Sequence, residues 1–225
     1  MLDVLDRAAS LHATAEEVAG CTRCPLAATR TQVVYGAGND AAELMFVGEA
    51  PGFHEDQSGI PFGGEAGELL ERLLTTIGLK RSDVYLTTVL KCRPPQNRDP
   101  LDEEIAACEP HLFRQIELIG PRVVATLGNF ATKLLSGRPH GITRVHGQVH
   151  EIAVGGTPVL LYPLYHPAAA LYTPSMLNVL EDDFSRLPDL LDRESGPPAR
   201  SASDASGDRI GGTKVDADAL QLGLF

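Results

Sequence analysis

The sequence has no apolar run long enough to cross a membrane, and it has fewer basic than acidic residues. Its 225 residues include 19 Lys and Arg against 30 Asp and Glu, a formal net charge of −11. The missing apolar run argues against a membrane protein, and the missing basic excess argues against a broadly cationic nucleic-acid binder. The N-terminus lacks the basic and apolar regions of a secretory signal, so we expect a cytoplasmic protein.

Large apolar side chains are nearly absent between Ser195 and Ala219. This stretch is rich in Gly, Pro, Ser, Ala and Asp, and it cannot bury enough surface to offset the entropy lost on ordering. We therefore predict a folded domain over residues 1–193 and a flexible linker over residues 194–220. The next residues, 221–225, read QLGLF and are apolar again.

Within residues 1–193, short apolar runs rich in β-forming residues alternate with segments of helical period. Runs that are apolar on both faces are typical of parallel strands covered by helices. The alternation predicts an α/β fold, a three-layer α/β/α sandwich with a central four-stranded, mainly parallel sheet, and ligands bind such sheets at the carboxyl ends of the strands. The predicted strands are 43–48, 83–89, 122–128 and 158–164, and the predicted helices are 65–78, 102–119, 129–136 and 175–192.

The sequence has only four cysteines, in a C-x2-C pair followed much later by a C-x15-C pair. Four thiolates from two separate places suit one tetrahedral site for zinc or an iron–sulfur cluster. Two disulfides are disfavoured in a reducing cytosol, and the cysteine inside the predicted helix could also be a core residue. Ligand softness and geometry leave zinc and iron–sulfur both open. The predicted ligands are Cys21, Cys24, Cys92 and Cys108.

Three further motifs follow the predicted strands: GEAPGFHEDQSGIPFGGEAG from Gly48, KCRPPQNRDP from Lys91 and YHPAA from Tyr165. With the cysteine frame, they resemble the family 4 uracil-DNA glycosylases over about residues 20–190. The resemblance implies the same α/β/α fold, a structural [4Fe-4S] cluster with zinc as the alternative, and excision of uracil after the nucleotide is flipped out of DNA. We accordingly expect a monomeric, nucleoid-associated bacterial enzyme whose partner is single- or double-stranded DNA containing uracil.

The resemblance assigns roles to residues in these motifs. His166 is expected to donate to a uracil carbonyl and stabilise the leaving base, with a structural histidine at a strand end as the alternative. Glu49 is expected to position water or the sugar, with a solvated loop acid as the alternative. Phe62 is expected to stack on the flipped base or to be a core residue. Asn97, the third predicted catalytic residue, and Glu55 are each expected either to orient the water or to brace a loop.

Other predicted substrate contacts involve small residues or depart from the family pattern. Ala50 and Gly52 lack bulk, which allows the backbone to approach the ligand closely. Thr88 stands where the family has an asparagine that reads the uracil edge, and a threonine hydroxyl is not a fixed donor–acceptor pair. The leucine that wedges into DNA is replaced by Ala170, so we predict that Leu171, or else its neighbour Tyr172, fills the space left by the base.

No Asp or Glu occurs between Leu118 and His150. We predict a local phosphate-binding face here on an otherwise acidic protein, with scattered solvated charges as the alternative and Arg144 as the preferred DNA contact. The candidate cations are Arg122, Lys133, Arg138, Arg144, His140, His146 and His150, joined by Lys91, Arg93 and Arg98 after the second predicted strand.

These observations leave three hypotheses: a monofunctional uracil-DNA glycosylase, a lesion-binding protein with weakened catalysis, and an iron–sulfur redox or sensor module. The C-terminal residues Gln221, Leu222, Leu224 and Phe225 resemble the short peptide by which bacterial repair proteins bind the sliding clamp. A flexible linker before such a peptide would hold the enzyme near DNA at high effective concentration. A segment that folds back onto the domain is the alternative.

Overall fold

A computed structural model describes residues 4–193 of the chain. These residues contain one six-stranded sheet, and the four predicted strands are its four central strands. The strands are β1 (Ala37–Gly38), β2 (Leu44–Gly48), β3 (Tyr85–Thr88), β4 (Val123–Leu127), β5 (His150–Val154) and β6 (Thr157–Leu164). Their order across the sheet is β1-β3-β2-β4-β6-β5.

The predicted α/β class and its parallel sheet are confirmed, because β3, β2, β4 and β6 pair in parallel. The sheet is wider than predicted, since β1 and β5 add an antiparallel strand at each edge. The short β1 gave no periodic signal. A signal for β5 was present: Gly155 and Gly156 both adopt positive φ, 56° and 89°, in the tight turn that joins β5 to β6.

Helices pack against both faces of the sheet. Three predicted helices are confirmed almost to the residue, whereas the predicted 175–192 helix is two helices separated at Arg186. The helices are α1 (Val4–Ala19), α2 (Phe53–Ser58), α3 (Glu65–Thr76), α4 (Asp102–Ile119), α5 (Asn129–Ser136), α6 (Ile142–Val145), α7 (Pro167–Leu171), α8 (Pro174–Ser185) and α9 (Leu187–Asp192).

The core lies on both sides of the sheet because successive strand residues point to opposite faces. Met45 and Val47 of β2 pack in the cluster that contains α1, α4 and α5 side chains. Leu44 and Phe46 pack in the other cluster, beneath α3, α8 and α9. Each such fully buried side chain contributes about 1.5–3 kcal/mol, so the central strands are a rigid base for the loops at their ends.

Two expectations from the sequence concern a membrane span and the residues after Arg193. Within residues 4–193, no helix combines the length and the apolar character that crossing a bilayer requires. The predicted linker and the predicted clamp-binding residues Gln221, Leu222, Leu224 and Phe225 lie outside the described residues, and both stay predictions.

Candidate active site and cysteine cluster

The carboxyl ends of the four parallel strands meet at one edge of the sheet. Gly48 ends β2, Thr88 ends β3, and Leu164 ends β6 two residues before His166. Because the parallel pairing places Gly48 directly beside Thr88, the motifs that follow these strands start from neighbouring positions. The candidate site therefore lies where ligands bind in open α/β sheets.

His166 is held as a neutral imidazole with a defined tautomer. It caps the N-terminus of α7, and its Nδ1 accepts a hydrogen bond from the backbone N–H of Ala168 at 3.1 Å. A ring nitrogen that accepts carries no proton, so the proton of the neutral ring is on Nε2. Burial lowers the pKa of His166 to about 4, and the Glu55 carboxylate opposes this only in part. At neutral pH His166 is therefore an uncharged donor through Nε2.

The Phe62 ring lies beside His166, with ring centroids 6.1 Å apart and an interplanar angle of 24°. The Phe62 backbone has φ of 55°, which is uncommon for a bulky residue. Arg81 donates to the carbonyl oxygen of Phe62 at 3.0 Å and also to that of Pro61. Phe62 is buried within the core cluster beneath α3, so both sequence-based interpretations describe it in part: it is a core residue whose ring reaches the site.

Two glycines make room for the Phe62 turn. A Cβ on Gly48 would lie 2.8 Å from Phe62 Cζ, and a Cβ on Gly67 would lie 1.8 Å from the Phe62 carbonyl oxygen. Both distances are below what packed carbon and oxygen atoms tolerate. The strained Phe62 backbone is thus fixed by its surroundings from several sides, which is typical of positions where a functional group must be held.

Glu55 braces the loop between β2 and α3. Its Oε2 accepts from the backbone N–H of Gly52 at 3.0 Å, and its Oε1 accepts from the backbone N–H of Gly63 at 2.9 Å. The carboxylate thereby ties the turn after β2 to the residue that follows Phe62. Of the two roles predicted for Glu55, the structure contains the contacts of the bracing role.

Glu49 is the half-buried carboxylate at the end of β2. Among residues 4–193, no group hydrogen-bonds to its side chain. Burial raises the pKa of Glu49, and the nearby Asp99 carboxylate raises it further. The neighbouring Ala50 has no reactive group and packs at the edge of the core. Glu49 is therefore a carboxylate with free lone pairs in a partly desolvated position, as a group that binds water or sugar requires.

Thr88 has no hydrogen-bond donor left for a ligand. Its side chain is buried, and its hydroxyl donates to the carbonyl oxygen of Leu90 at 2.6 Å. The Thr88 γ-methyl lies 3.4 Å from the position of a Cβ on Gly48, where the Phe62 ring also packs. The residue thus presents a methyl group and an oxygen that can only accept, in place of the amide of the family pattern.

Asn97 is exposed on the loop after β3, within the short helix Pro95–Asn97. Its Oδ1 accepts from Nε of Arg93 at 2.7 Å. Asn97 and Gln96 both have left-handed φ angles, 53° and 57°. The structure thus contains the bracing contact predicted as one option for Asn97, and its role in orienting water stays a prediction.

All four cysteines have free thiols, so the disulfide alternative is wrong for this structure. Burial raises the pKa of Cys92 to about 11, and the neighbouring Cys108 and Cys24 add to that rise. Burial is the largest cause that raises the pKa of Cys108, and Cys24 and Cys21 raise it further. Because thiols of one pair shift the pKa of thiols of the other, the two cysteine pairs lie close together, as the sequence predicted. Within the described residues, no three His, Cys, Asp or Glu side chains form a ligand set for a single metal ion.

Two donors that sequence reasoning missed contact the thiols. Arg30 donates to Cys92 Sγ at 3.4 Å and to the Cys21 carbonyl oxygen at 2.7 Å, which links the two cysteine-bearing segments. The backbone N–H of Lys91 donates to Cys108 Sγ at 3.3 Å. Donors and positive charge around sulfur stabilise thiolate ligands. Arg30 carried no motif, and only its position in space reveals the role.

The predicted cationic face between Leu118 and His150 is only partly assembled. Arg138, His140 and His150 line one small pocket, and Arg144 and Lys133 are exposed. Other members of the set have internal partners. Arg122 donates to the carbonyl oxygen of Leu191 at 2.7 Å, and His146 Nδ1 lies 2.8 Å from the buried Asp183 carboxylate.

The segment after His166 exposes a different wedge candidate from the predicted Leu171. Ala170 is buried, and Leu171 packs against the core cluster beneath α3 and α8. The next residue, Tyr172, is 82% exposed. A wedge must project from the surface, and Tyr172 is the residue here that does so.

The family model of the uracil DNA glycosylase superfamily matches residues 35–187. The matched region contains the parallel sheet and the candidate active site at its edge, and the fold is that of a uracil-DNA glycosylase superfamily protein. A type-4 uracil-DNA glycosylase of Saccharolobus solfataricus is 46% identical over 187 residues, which cover 81% of this chain and 87% of the relative.

Two further relatives with the same name extend the comparison. That of Archaeoglobus fulgidus is 46% identical, over 80% of this chain and 93% of the relative. That of Thermotoga maritima is 41% identical, over 82% of this chain and 96% of the relative. This chain belongs to the type-4 uracil-DNA glycosylases.

Proposed function

We propose that this protein hydrolyses the N-glycosidic bond of uracil in single- or double-stranded DNA, the first step in repairing deaminated cytosine. The observation that carries the proposal is the neutral His166, with its proton on Nε2, beside the Phe62 ring. The bond breaks with its electron pair on the base, and a donor fixed next to a developing anion stabilises it without reorganising. Such a donor contributes about 10²–10³-fold to kcat.

The other site residues supply the remaining needs of the reaction. The flipped base stacks on Phe62, which contributes about 1–3 kcal/mol. Glu49 orients the water whose oxygen bonds to the sugar, and its raised pKa makes the carboxylate a better acceptor for the water proton. The backbone at Ala50 and Gly52 approaches the base. Tyr172 replaces Leu171 as the side chain that enters the vacated stack.

Thr88 limits how the base is read. With its proton donated to Leu90, the hydroxyl cannot donate to a uracil carbonyl, so the second carbonyl must be read by other groups. This supports the alternative of a lesion-binding protein with weakened catalysis. Thr88→Asn supplies a donor and an acceptor together, and we expect it to lower KM for uracil-containing DNA by roughly tenfold, the worth of one hydrogen bond.

The four free thiols of Cys21, Cys24, Cys92 and Cys108 suit a [4Fe-4S] cluster. Each thiolate binds its own iron in such a cluster, so the sulfur atoms surround it and need not converge on one ion as they do for zinc. Held by these four thiols, a cluster would cross-link the segment before the sheet, the β3 loop and α4. Iron, acid-labile sulfide and zinc contents of purified protein distinguish the cluster from zinc.

One assay separates the candidate functions. Oligonucleotides with one uracil, single- or double-stranded, are incubated with protein whose thiol site is loaded, and abasic sites are then cleaved with alkali. The glycosylase proposal predicts excision that His166→Ala abolishes and Arg114→Gln, on the exposed surface of α4, leaves unchanged. Binding to uracil-containing DNA without excision supports the lesion binder, and neither binding nor excision supports a redox or sensor module.

The remaining partner assignments belong to the same proposal. The protein acts as a monomer in the bacterial cytoplasm near the nucleoid, and Gln221, Leu222, Leu224 and Phe225 bind the sliding clamp. A peptide of residues 216–225 should bind the purified clamp, and Leu224→Ala with Phe225→Ala should remove clamp binding while leaving excision unchanged. Equal clamp binding by the double variant would contradict the clamp assignment.

A further inference from the structure

Three basic side chains follow β3, and among them only Arg93 has terminal nitrogens without a hydrogen-bond partner in the described residues. Lys91 Nζ is buried and donates, at 2.6 Å each, to Thr87 Oγ1, the Thr88 carbonyl oxygen and Gln115 Oε1. Arg98 forms a two-pronged ion pair with the buried Glu104, at 2.9 Å and 2.6 Å. Arg93 alone within the loop Lys91–Pro100 has no partner for its terminal nitrogens.

Arg93 is nevertheless held in one orientation. Its Nε donates to Asn97 Oδ1 at 2.7 Å, and its guanidinium carbon lies over the Phe53 ring, 5.2 Å from the centroid. A guanidinium that lies over an aromatic ring and donates through Nε still has both terminal nitrogens available as a planar fork. The left-handed backbone of Gln96 and Asn97 brings the Asn97 amide back to Arg93.

The fork lies against Phe53, in the segment after β2 that also contains Glu49 and Gly52. Phe53 directly follows the Gly52 turn after β2, and the residue is 53% exposed. The same loop as Arg93 contains Asp99, whose carboxylate influences Glu49. No ion pair among the described residues involves Arg93, so its charge is not neutralised by an acidic side chain.

We propose that Arg93 is a phosphate clamp for DNA: its fork binds a backbone phosphate of the strand that carries the uracil, and Asn97 and Phe53 are positioning residues that fix the fork. A planar fork with two parallel N–H donors matches phosphate oxygens. The proposal rests on DNA being the substrate. It also explains how a protein of net charge −11 holds DNA, through individually placed cations in place of a broad basic surface.

The test measures the affinity of the full chain for DNA without uracil, by fluorescence anisotropy over a range of salt concentrations. A lost phosphate contact reduces the slope of log affinity against log salt by about 0.7 for single strands and about 0.9 for duplexes. We expect Arg93→Gln to show this reduction with roughly tenfold weaker binding. Arg114→Gln, which removes an exposed arginine paired with Glu117, should change neither quantity.

Two further variants separate a phosphate clamp from a general loss of charge or structure. Arg93→Lys keeps the charge but loses the fork, so the salt slope should persist while affinity falls. Asn97→Ala keeps the Arg93 charge but frees the Arg93 side chain, so we expect weaker binding of DNA without uracil with the salt slope retained. An Arg93→Gln protein of normal Tm and normal thiol-site loading whose salt slope equals that of the wild type would overturn the proposal.

Failure of the Arg93 proposal can be distinguished from failure of the glycosylase proposal, because the salt slope is measured on DNA that contains no uracil. A protein that excises no uracil but loses slope in Arg93→Gln retains the clamp and lacks the activity. A protein that excises uracil with an unchanged slope in Arg93→Gln has the activity and lacks the clamp.

Discussion

The His166–Phe62 side of the site follows the carboxyl ends of β6 and β2, and Cys92 of the cysteine side follows that of β3, yet the chemistry of the two sides needs opposite charge states. Burial lowers the pKa of His166 to about 4, which keeps the imidazole neutral, as an uncharged donor requires. Burial also raises the pKa of Cys92 to about 11, which opposes the thiolate that a metal or cluster binds. The same desolvation thus assists one region and opposes the other.

The protein compensates for this difference with its surroundings. Around Phe62 the supporting contacts involve backbone groups: the Arg81 guanidinium donates to a carbonyl oxygen, and the Glu55 carboxylate accepts from a backbone N–H. These contacts fix the geometry while the imidazole stays neutral. Around the thiols the supporting groups are donors, the Arg30 guanidinium and the Lys91 N–H, that favour negative sulfur. One region is organised for position and the other for charge, so substitutions should affect catalysis and stability separately.

The largest effect is expected from His166→Ala, which removes the neutral donor. We expect kcat for uracil excision to fall by about 10²–10³-fold, while iron content and Tm stay close to the wild type. Single-turnover excision from a single-stranded oligonucleotide measures the first quantity. A loss below tenfold would show that another group stabilises the leaving base.

Cys108→Ser should lower stability while leaving excision nearly unchanged, the reverse of His166→Ala. Losing a ligand of a structural centre weakens the cross-link between the β3 loop and α4, and we expect a cost on the order of 3 kcal/mol, or about 10 °C in Tm. Excision per folded molecule should change only a few-fold. Calorimetry together with active-site titration separates the two readouts, and an unchanged Tm would remove the structural role of the thiols.

The neutral His166 should also make stability depend on pH. Its pKa is about 4 in the folded protein against an ordinary 6.5, so the unfolded chain binds more protons between these values. Stability is therefore lost as pH falls from about 6.5 to about 4, by roughly 3 kcal/mol for this group.

Urea unfolding at both pH values, in the wild type and in His166→Gln, measures how much of the stability lost on acidification is due to His166. Glutamine does not titrate, so the variant should lose less stability on acidification than the wild type does. Equal losses in the two proteins would mean that His166 is not held neutral by the fold.

The smallest predicted effect concerns the packing of Gly48 against the Phe62 ring. In Gly48→Ala the new methyl would meet the Phe62 ring at 2.8 Å, and such overpacking costs about 1–3 kcal/mol. We expect a raised KM for uracil-containing DNA from the displaced ring. Gly20→Ala, whose methyl would have only one neighbour at 3.9 Å, is the matched control and should leave both stability and KM unchanged.

Much of the fold was predictable from local patterns. The runs at 43–48 and 122–128 are apolar on both faces, and they became the buried strands β2 and β4. The edge strand β5 was missed because its exposed positions interrupt the apolar run, although Gly155-Gly156 marked its turn. The pattern at 175–192 did not show that the helix is interrupted at Arg186.

Sequence by itself determined the α/β/α class, the cysteine frame and the motifs at the strand ends, because these depend on local periodicity and on residue type. Only the tertiary structure decided the proton position on His166 and the hydrogen bond that occupies the Thr88 hydroxyl. It also decided which of Lys91, Arg93 and Arg98 keeps free donors. These properties depend on desolvation and on hydrogen bonds with partners distant in sequence, such as Gln115 for Lys91. Such partners are fixed only when the strands pair and the helices pack.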